Sequence, residues 1–328
     1  MAYQQVAVPA RSTTPGVLIG VAGLTVLVLA VRVTGAGEAP AVEIFALIAT
    51  SIIVEALPFV LLGSLVSALI EVYVPERALD RIAGFPLSVQ IPGAALGGLA
   101  FPVCECGSVP VARRLIARGV HPSAAVAFML AAPIVNPVVL LSTWIAYRGF
   151  GIGPQMVGGR ALLGLVVAVA AGWALGADRA TIVLKRAPSD EHAGGSRGGG
   201  FVAHLSSEFA YMAKFVVIGA ALAAALQTIV PQNIIAGLAS NTVIASLALM
   251  ALAFVLSLCS EADAFVAISF TQFSPAAQLA FLVSGPVLDT KLGFLYGASF
   301  GVRFVPRLIM VVVPIVLAGA LWFEVLIT

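Results

Sequence analysis

Charged side chains are scarce in this chain of 328 residues, since Asp, Glu, Lys and Arg make up 10% of it against 61% apolar residues. A water-soluble globular protein carries about 25% charged residues, so a soluble fold is excluded. The net charge of +2 comes with no clustered basic face, which excludes a nucleic-acid-binding surface. Three cysteines are too few for a disulfide framework and are interpreted as packing, redox or ligand groups.

The sequence motifs of enzymes and of ATP-driven pumps are also missing. The chain contains no nucleophile elbow, phosphate-binding loop, metalloprotease motif or dinucleotide fingerprint. We therefore expect a protein that is not an enzyme, with no catalytic residues and no cofactor. Because the cysteines have no partner histidine or second cysteine pair nearby, we expect no tetrahedral zinc site either. Any pumping would run on an ion gradient or on the substrate's own gradient.

Apolar stretches long enough to cross about 30 Å of hydrocarbon recur along the chain. The first covers 16–33 and is predicted to be an uncleaved helix, with a cleaved signal peptide as the alternative. Further spans are predicted at 42–73, 124–147, 155–175, 207–230, 276–297 and 302–326. Each is helical by expectation, because a spanning backbone must satisfy its own hydrogen bonds. The fold class predicted is an all-α, multi-pass protein of the bacterial inner (plasma) membrane.

One polar segment, residues 177–204, divides the chain. It is rich in Gly, Ser and charged residues, which is typical of a flexible linker, and its basic residues place it in the cytoplasm by the positive-inside rule. The predicted organisation is an N-terminal segment with the first helix at 1–41, a first transmembrane repeat at 42–176, this cytoplasmic linker, and a second transmembrane repeat at 205–328.

The two halves resemble each other in sequence. One shift of register aligns Cys106 with Cys259, Pro133 with Pro286, and Asn136 with Asp289. Two similar apolar halves are typical of secondary transporters, and a duplication without any transport role is the alternative.

The segments around the cysteines are too short to cross a bilayer alone. Residues 88–101 and 111–119 would form about 21 Å and 14 Å of helix at 1.5 Å per residue. The simplest arrangement is a re-entrant helical hairpin that enters and leaves by one face, with residues 102–110 as a non-helical tip. In the second half the corresponding arms are 242–258 and 262–272.

Basic residues indicate that the two hairpins enter from opposite faces. The rim of the first hairpin carries Arg113, Arg114 and Arg118, whereas the arms of the second contain no Lys or Arg. By the positive-inside rule the first rim is cytoplasmic and the second external, so the two repeats are predicted to have inverted topology. The alternative, four spans in each half, would put the three arginines outside.

The two hairpin tips and two proline-broken transmembrane helices are predicted to meet near the bilayer midplane. Pro133 and Pro286 lie in mid-span, where a helix loses a hydrogen bond and exposes helix ends to a ligand, although they could instead only kink helices for packing. The cysteines at the tips are interpreted as ligands of a soft, thiophilic substrate atom, because thiolates select such atoms. Inert buried side chains and a redox disulfide are the alternative interpretations of these cysteines. The predicted substrate-binding residues are Cys104, Glu105, Cys106, Ser108, Asn136, Cys259, Ser260, Glu261 and Asp289.

Ionisable residues at membrane depth also indicate a substrate site near the bilayer midplane. Six of them facing lipid would cost about 15 kcal/mol at roughly 2.5 kcal/mol each, so they must face a wet cavity or one another. Asp289 and Lys291 are predicted to form a neutral pair. Glu55 is predicted to carry protons, with a hydrogen bond to the backbone freed by Pro58 as the equal alternative. The proton-coupling candidates are Glu55, Asp263 and Lys291.

Four motifs of the chain form a recognisable set. They are Glu55-Ala56-Leu57-Pro58-Phe59, Cys104-Glu105-Cys106-Gly107-Ser108-Val109-Pro110, Ala132-Pro133-Ile134-Val135-Asn136-Pro137 and Gly285-Pro286-Val287-Leu288-Asp289. With them the chain resembles the ArsP-type permease family from Glu43 to the C-terminus, apart from the first helix and the polar linker. The resemblance implies a permease, and the characterised members of the family imply export of trivalent organoarsenicals such as methylarsenite, with the paired cysteines at the substrate site.

The leading hypothesis is a secondary transporter that exports a small thiophilic solute by alternating access, coupled to protons. Its expected partners are the small-molecule substrate and the lipid bilayer, with assembly into a homo-oligomer as an option. The alternative is a membrane thiol-disulfide oxidoreductase that uses Cys104 and Cys106. Few aromatic residues near the tip and no second exposed dithiol argue against that alternative. A third option is a scaffold without substrate.

Overall fold

The computed structural model describes residues 40–73, 84–101, 103–176, 197–229 and 241–327, which are nearly all helical. The predicted first helix at 16–33 lies outside these residues, as does the predicted linker up to residue 196. The α-helices are, in chain order, α1 (Pro40–Tyr73), α2 (Leu87–Gly97), α3 (Glu105–Ala117), α4 (Pro122–Val135), α5 (Pro137–Tyr147), α6 (Gly153–Gly176), α7 (Arg197–Ile229), α8 (Thr242–Leu256), α9 (Asp263–Ala267), α10 (Pro275–Ser284), α11 (Thr290–Phe300) and α12 (Phe304–Ile327).

Five segments of the described residues are long and apolar enough to cross a membrane. They are Ala41–Ile70, Pro122–Phe150, Gly153–Gly176, Leu205–Thr228 and Phe304–Ile327. By length and composition these match five of the predicted spans, so an all-α, multi-pass membrane protein is confirmed at this level. The sixth predicted span, 276–297, is divided by a turn into α10 and α11.

Both predicted breaks in the proline-containing helices are present. Between α4 and α5 the break falls on Asn136, whose φ of −54° and ψ of 133° leave the helical region, and Pro137 begins α5. Between α10 and α11 the chain turns at residues 285–288, and Asp289 is extended. Each half-helix after a break begins with a polar cap: Asn136 Oδ1 accepts a hydrogen bond from Val138 N, and Asp289 Oδ1 accepts one from Leu292 N.

The segment 102–110, predicted as a non-helical tip, is mostly helical. Helix α3 already begins at Glu105, and the backbone N–H groups of Gly107 and Ser108 donate to Cys104 O. Pro110 lies inside this helix. The prediction treated glycine and proline as helix breakers, whereas a backbone at membrane depth gains hydrogen bonds by continuing the helix around a proline. In the corresponding segment after Cys259 the helix, α9, has only five residues.

The order of elements before residue 177 recurs after residue 196: a long helix, two shorter helices, a broken helix and another long helix. Several contacts recur with it, because α2 packs on α4 as α8 packs on α10, and α4 packs on α6 as α10 packs on α12. The segments also pack on each other, through α1 with α7, α6 with α10 and α12, α3 with α11, and α5 with α9. At the ends of these helices Ser260 and Lys291 both contact Glu105. The N-termini of α3, α5, α9 and α11 therefore lie in one central region.

Two glycines set how closely the long helices approach this centre. A Cβ atom on Gly63 of α1 would lie 2.4 Å from the backbone of Gly107 in α3, and one on Gly219 of α7 would lie 2.6 Å from Lys291 Cα in α11. Real Cβ atoms do not approach backbone so closely. The close packing of α1 on α3 and of α7 on α11 therefore requires glycine at these two positions.

We predict that Gly63→Ala and Gly219→Ala each lower the free energy of unfolding by about 1–3 kcal/mol, because an extra methyl group forces packed backbone apart. Gly297→Ala in α11 is the matched control, since a Cβ there meets no atom within 4 Å. This control should be neutral or stabilising, because alanine is the better helix former. Unfolding in detergent measures the three variants, and equal behaviour of all three would contradict the packing argument.

Candidate functional site

Two thiols and a carboxylate form the centre of the site. The Sγ atoms of Cys104 and Cys259 and a carboxylate oxygen of Glu105 all lie within 4.8 Å of one another, and all three residues are buried. Cys104 is the N-cap of α3 and Glu105 its first residue, whereas Cys259 follows α8 in the other segment. All three cysteines are free. The prediction that Cys104 and Cys259 converge from the two halves agrees with this geometry.

Cys106 lies beside this group. It is in the first turn of α3, two residues after Cys104, whose own backbone is extended because Cys104 is the N-cap. The Cys104 thiol is in hydrogen-bonding contact with the thiols of both Cys106 and Cys259. Cys104 thus has a thiol neighbour from each segment, and the group of ligand atoms that all lie within 4.8 Å of one another contains Cys259 and not Cys106.

Lys291 connects the carboxylates of the site. Its Nζ lies 2.8 Å from Glu105 Oε1 and 3.5 Å from Asp289 Oδ2, and it donates hydrogen bonds to Ser257 O and Leu258 O at 3.1 Å and 3.4 Å. The predicted pairing of Lys291 with Asp289 is present, but the shorter contact is with Glu105 of the other segment. The ammonium group also neutralises the carbonyl end of α8, where the helix dipole is negative.

Ser257 has a strained backbone conformation, and its carbonyl oxygen accepts a hydrogen bond from Lys291. Its φ of 47° is the one positive φ outside glycine among the described residues. This left-handed turn ends α8 and directs the Ser257 carbonyl to Lys291, while its Oγ accepts a hydrogen bond from Thr290 N at 3.1 Å. Non-glycine residues adopt such a conformation at a cost of about 1–3 kcal/mol, and they do so mostly at functional sites.

The loop 259–261 supplies further hydrogen bonds. The Cys259 thiol donates to Glu261 Oε2 at 2.9 Å, and Ser260 Oγ donates to Glu105 Oε2 at 3.1 Å. Glu105, Ser260 and Cys259 are buried, and Glu261 is half-buried. Glu105 therefore receives a hydrogen bond from the second segment on one oxygen and an ammonium group from it on the other.

A second buried ion pair lies behind this loop. Both Nη atoms of Arg160 in α6 contact the carboxylate of Asp263 in α9, at 2.8 Å and 2.7 Å, and neither side chain is more than 3% exposed. Arg160 also donates to Ser260 O at 3.2 Å and to Thr143 Oγ1 at 2.9 Å. Asp263, a predicted proton-coupling residue, is thus one partner of a bidentate ion pair.

The remaining predicted residues have other surroundings. Asn136 caps α5, and Ser108 Oγ donates to Glu105 O within α3; both are buried. Glu55 lies on α1 and is exposed as a residue, but its carboxylate contacts Cys259 and lies near Lys291 and Glu105, so it borders the thiol group. Sequence reasoning missed Arg160 and Ser257. Arg160 could have been found, because it is the one charged residue of the apolar segment Gly153–Gly176 and such a charge is costly at membrane depth.

Comparison with known proteins identifies the group to which this arrangement belongs. The sequence profile of the ArsP_1 family, described as a predicted permease, matches residues 41–325. This range contains every described helix except the last residues of α12 and the first residue of α1. It agrees with the resemblance that the sequence motifs indicate.

Two curated bacterial relatives are similar over most of their length. A protein of Bacillus subtilis (strain 168), named UPF0718 protein YcgR, is 42% identical over 278 residues, which cover 83% of this chain and 94% of the relative. A protein of Streptococcus mutans, named as a predicted subunit of a two-component membrane permease complex, is 35% identical over 263 residues, 78% of this chain and 86% of the relative. No solved structure matches the chain. These similarities and the apolar helices identify a multi-pass bacterial membrane protein.

We predict that Lys291→Met lowers the free energy of unfolding by about 3–5 kcal/mol, because Glu105 and Asp289 would then be buried without a counter-charge. Adding Glu105→Gln to Lys291→Met should restore part of that loss, with a coupling free energy of about 0.5–3 kcal/mol in a double-mutant cycle. Unfolding in detergent measures the cycle.

The matched control for this prediction is Lys214→Met. Lys214 is exposed on α7, and its ammonium group lies over the rings of Tyr211 and Phe215, so its replacement should change stability by about 1 kcal/mol or less. Strictly additive losses for Lys291→Met and Glu105→Gln would contradict the ion pair.

Proposed function

The chain belongs to the ArsP-type family of predicted permeases, and we propose that it is a secondary transporter of the bacterial plasma membrane that exports a small thiophilic solute by alternating access. A trivalent organoarsenical such as methylarsenite is the proposed substrate. Family membership supports a transporter rather than an enzyme. The finer points are proposals that rest on the geometry of the central site.

The buried group of Cys104, Glu105 and Cys259 is the observation that carries this proposal. Two thiols from different segments converge within 4.8 Å inside a membrane protein. Sulfur ligands select soft centres over hard cations. A solute bound by both thiols would bridge the two segments. Such a bridge is what alternating access requires of a substrate when the two segments move relative to each other.

The number of thiols fits a mono-organic arsenical. In the proposed binding step two thiols replace the two hydroxyl groups of RAs(OH)2, so that two As–S bonds form, two As–O bonds break and two water molecules leave. Arsenic stays trivalent, and no electron or net proton is exchanged. A solute with three open valences would need three thiols around one atom; Cys106 contacts Cys104 but is not part of the group whose ligand atoms all lie within 4.8 Å of one another.

Lys291 supports an uncharged substrate over a metal cation. Its ammonium group lies 2.8 Å from the Glu105 carboxylate that would otherwise attract a cation. A divalent ion held by Cys104, Glu105 and Cys259 would therefore lie close to a buried positive charge, which is costly in a low-dielectric interior. A neutral arsenical avoids this repulsion. We accordingly propose substrate binding by Cys104 and Cys259, with Glu105, Ser260, Glu261 and Asp289 around it.

Inverted repeats with re-entrant hairpins are part of the proposal. Its support is the recurrence of element order and contacts, together with the lengths of the arms: α2, α3 and α8 have 11, 13 and 15 residues. At 1.5 Å per residue none reaches the roughly 30 Å of a hydrocarbon core. In this arrangement residues 1–41 precede a repeat at 42–176, residues 177–204 link it in the cytoplasm to a second repeat, and that repeat covers 205–328.

Proton coupling is proposed to involve Glu55 first among the three candidates. Asp263 and Lys291 are held in buried ion pairs, so their participation would require those pairs to open. Glu55 is exposed on α1 and contacts Cys259, so its carboxylate borders the proposed solute site without being enclosed in an ion pair there. Cys106, Ser108 and Asn136 stay in the proposal as lining residues.

Assembly with further protein is the last element of the proposal. The name of the Streptococcus mutans relative describes a subunit of a two-component membrane permease complex. We propose that this chain likewise associates with a second protein or with a second copy of itself in the bilayer.

We predict that Cys104→Ser and Cys259→Ser each reduce methylarsenite accumulation in everted membrane vesicles to background, because one thiol cannot form both As–S bonds. Cys106→Ser, the matched control, should retain most of the flux. Arsenic mass spectrometry measures accumulation with and without an imposed pH gradient, and Glu55→Gln should remove the response to that gradient.

The same variants separate transport from the thiol-disulfide oxidoreductase alternative. An oxidoreductase that uses Cys104 and Cys106 would be inactivated by Cys106→Ser and would form a trappable mixed disulfide with a partner. Full methylarsenite flux in a Cys104→Ser/Cys259→Ser double variant would contradict the proposed binding step.

We predict that cysteine probes at the two hairpin rims react from opposite sides of the membrane. In a chain without its native cysteines, Ala117→Cys at the end of α3 should react with a membrane-impermeant maleimide only in everted vesicles. Ser269→Cys after α9 should react only in intact cells or spheroplasts. Both positions are exposed, so burial does not limit labelling. Labelling of both probes from one side would contradict inverted repeats.

A further inference from the structure

We propose that Arg160 is a positioning residue for the site: it holds the loop 259–263 so that the Cys259 thiol faces Cys104 and Glu105. The proposal deepens the proposed function and rests on it for the meaning of the thiol pair. Arg160 itself does not contact the thiols. Its effect is exerted through Ser260 and Asp263.

The first support is the number of groups that Arg160 binds while fully buried. One Nη donates to Asp263 Oδ1 and Thr143 Oγ1, and the other donates to Asp263 Oδ2 and Ser260 O. Its exposed fraction is 0%. A guanidinium group at membrane depth is costly unless paired, so these contacts are needed for Arg160 to remain there. They reach both ends of the loop that carries Cys259.

The second support is that this loop has little structure of its own. Residues 257–262 form no helix, and α9 has five residues. Isolated helices shorter than about 12–15 residues are marginal, so α9 cannot hold the loop by itself. The bidentate contact at the first residue of α9 and the contact to Ser260 O attach the loop to α6, a continuous helix of 24 residues.

The third support is the path from Arg160 to the thiol group. Ser260 binds Arg160 through its carbonyl oxygen and Glu105 through its Oγ, at 3.2 Å and 3.1 Å. The Cys259 backbone is joined directly to Ser260. A shift of the loop away from Arg160 would therefore break the contact of Ser260 with Glu105 and move Cys259 from Cys104.

The two buried ion pairs next to the loop 259–263 differ in their relation to the thiol group. Lys291 contacts Glu105, a member of the thiol group, so substrate bound there would change its surroundings. Asp263 and Arg160 lie outside that group. The Arg160 pair is therefore suited to keep the loop in place, whereas the Lys291 pair is part of the binding site.

The geometry requires arginine and not merely a positive charge. A lysine ammonium could pair with Asp263, but it has no planar fork that binds both carboxylate oxygens and reaches a carbonyl as well. Arg160→Lys should consequently preserve charge balance and lose part of the positioning. Arg160→Met should lose both.

The test measures how fast Cys104 and Cys259 are joined, without any substrate. In a Cys106→Ser background, the purified full chain is treated with diamide, a diazene that takes two hydrogen atoms from two thiols to form a disulfide and is itself reduced to the hydrazine. Peptide mass spectrometry quantifies the Cys104–Cys259 disulfide over time. We expect Arg160→Met to slow its formation at least about tenfold, since displacement of reacting groups by about 1 Å can cost up to a hundredfold in rate.

Controls keep positioning separate from folding. Arg303→Met, at an exposed arginine before α12, should leave the disulfide rate unchanged, and Arg160→Lys should give an intermediate rate. Helix content and elution from size exclusion must match the parent for a variant to be compared. Where Arg160→Met does not fold, Asp263→Asn, which is nearly isosteric, and Thr143→Val decide the question.

The outcomes are distinct for the two proposals. Disulfide formation at the parental rate in folded Arg160→Met, or in folded Asp263→Asn and Thr143→Val, would overturn the positioning role whatever the transport result. Absence of methylarsenite flux in the parent chain, together with slowed disulfide formation in the Arg160 variants, would overturn the proposed function and leave the positioning of Cys259 supported.

Discussion

Charge buried among apolar helices has to be neutralised within the protein, and the centre of this structure depends on that constraint. Around the thiol group Lys291 pairs with Glu105 and Arg160 with Asp263, and each pair joins a residue before position 177 to one after position 196, as the buried pair of Arg114 with Glu208 also does. Removal of one partner from such a pair typically costs about 3–5 kcal/mol. The ion pairs that make buried charges tolerable at the site are therefore also the interactions that connect the two segments there.

The broken helices supply the other polar partners that this centre requires. Asn136 and Asp289 cap α5 and α11 where the preceding half-helices end. The carbonyl end of α8 accepts hydrogen bonds from Lys291 and Thr290, and the strained turn at Ser257 presents those acceptors. Unpaired backbone groups and unpaired charges would each be costly in hydrocarbon. Placed together, they satisfy one another, and the broken helices and the buried charges thus depend on each other.

The parts of this arrangement that sequence could predict are those set by local properties. Of the seven spans that hydropathy predicted, five are confirmed by length and composition. The two helix breaks followed from proline, whose ring removes a backbone donor wherever it stands. The convergence of Cys104 and Cys259 was predictable from the internal repeat. The place of Cys106 at the edge of this group was not, because it depends on helix α3 beginning at Glu105. Arg160 was missed since its partners lie about a hundred residues away in the chain.

The chemistry of the thiol pair restricts how transport could use an ion gradient. On the proposed exchange, a neutral arsenical replaces two hydroxyl groups by two thiols and releases only water, so binding itself carries no proton. Coupling then requires a carboxylate whose charge changes independently of the thiols. Glu105 and Asp263 are each enclosed in a buried ion pair, so a change of their charge would leave Lys291 or Arg160 without its counter-charge. Glu55, exposed on α1 and in contact with Cys259, borders the thiol pair without being enclosed in this way.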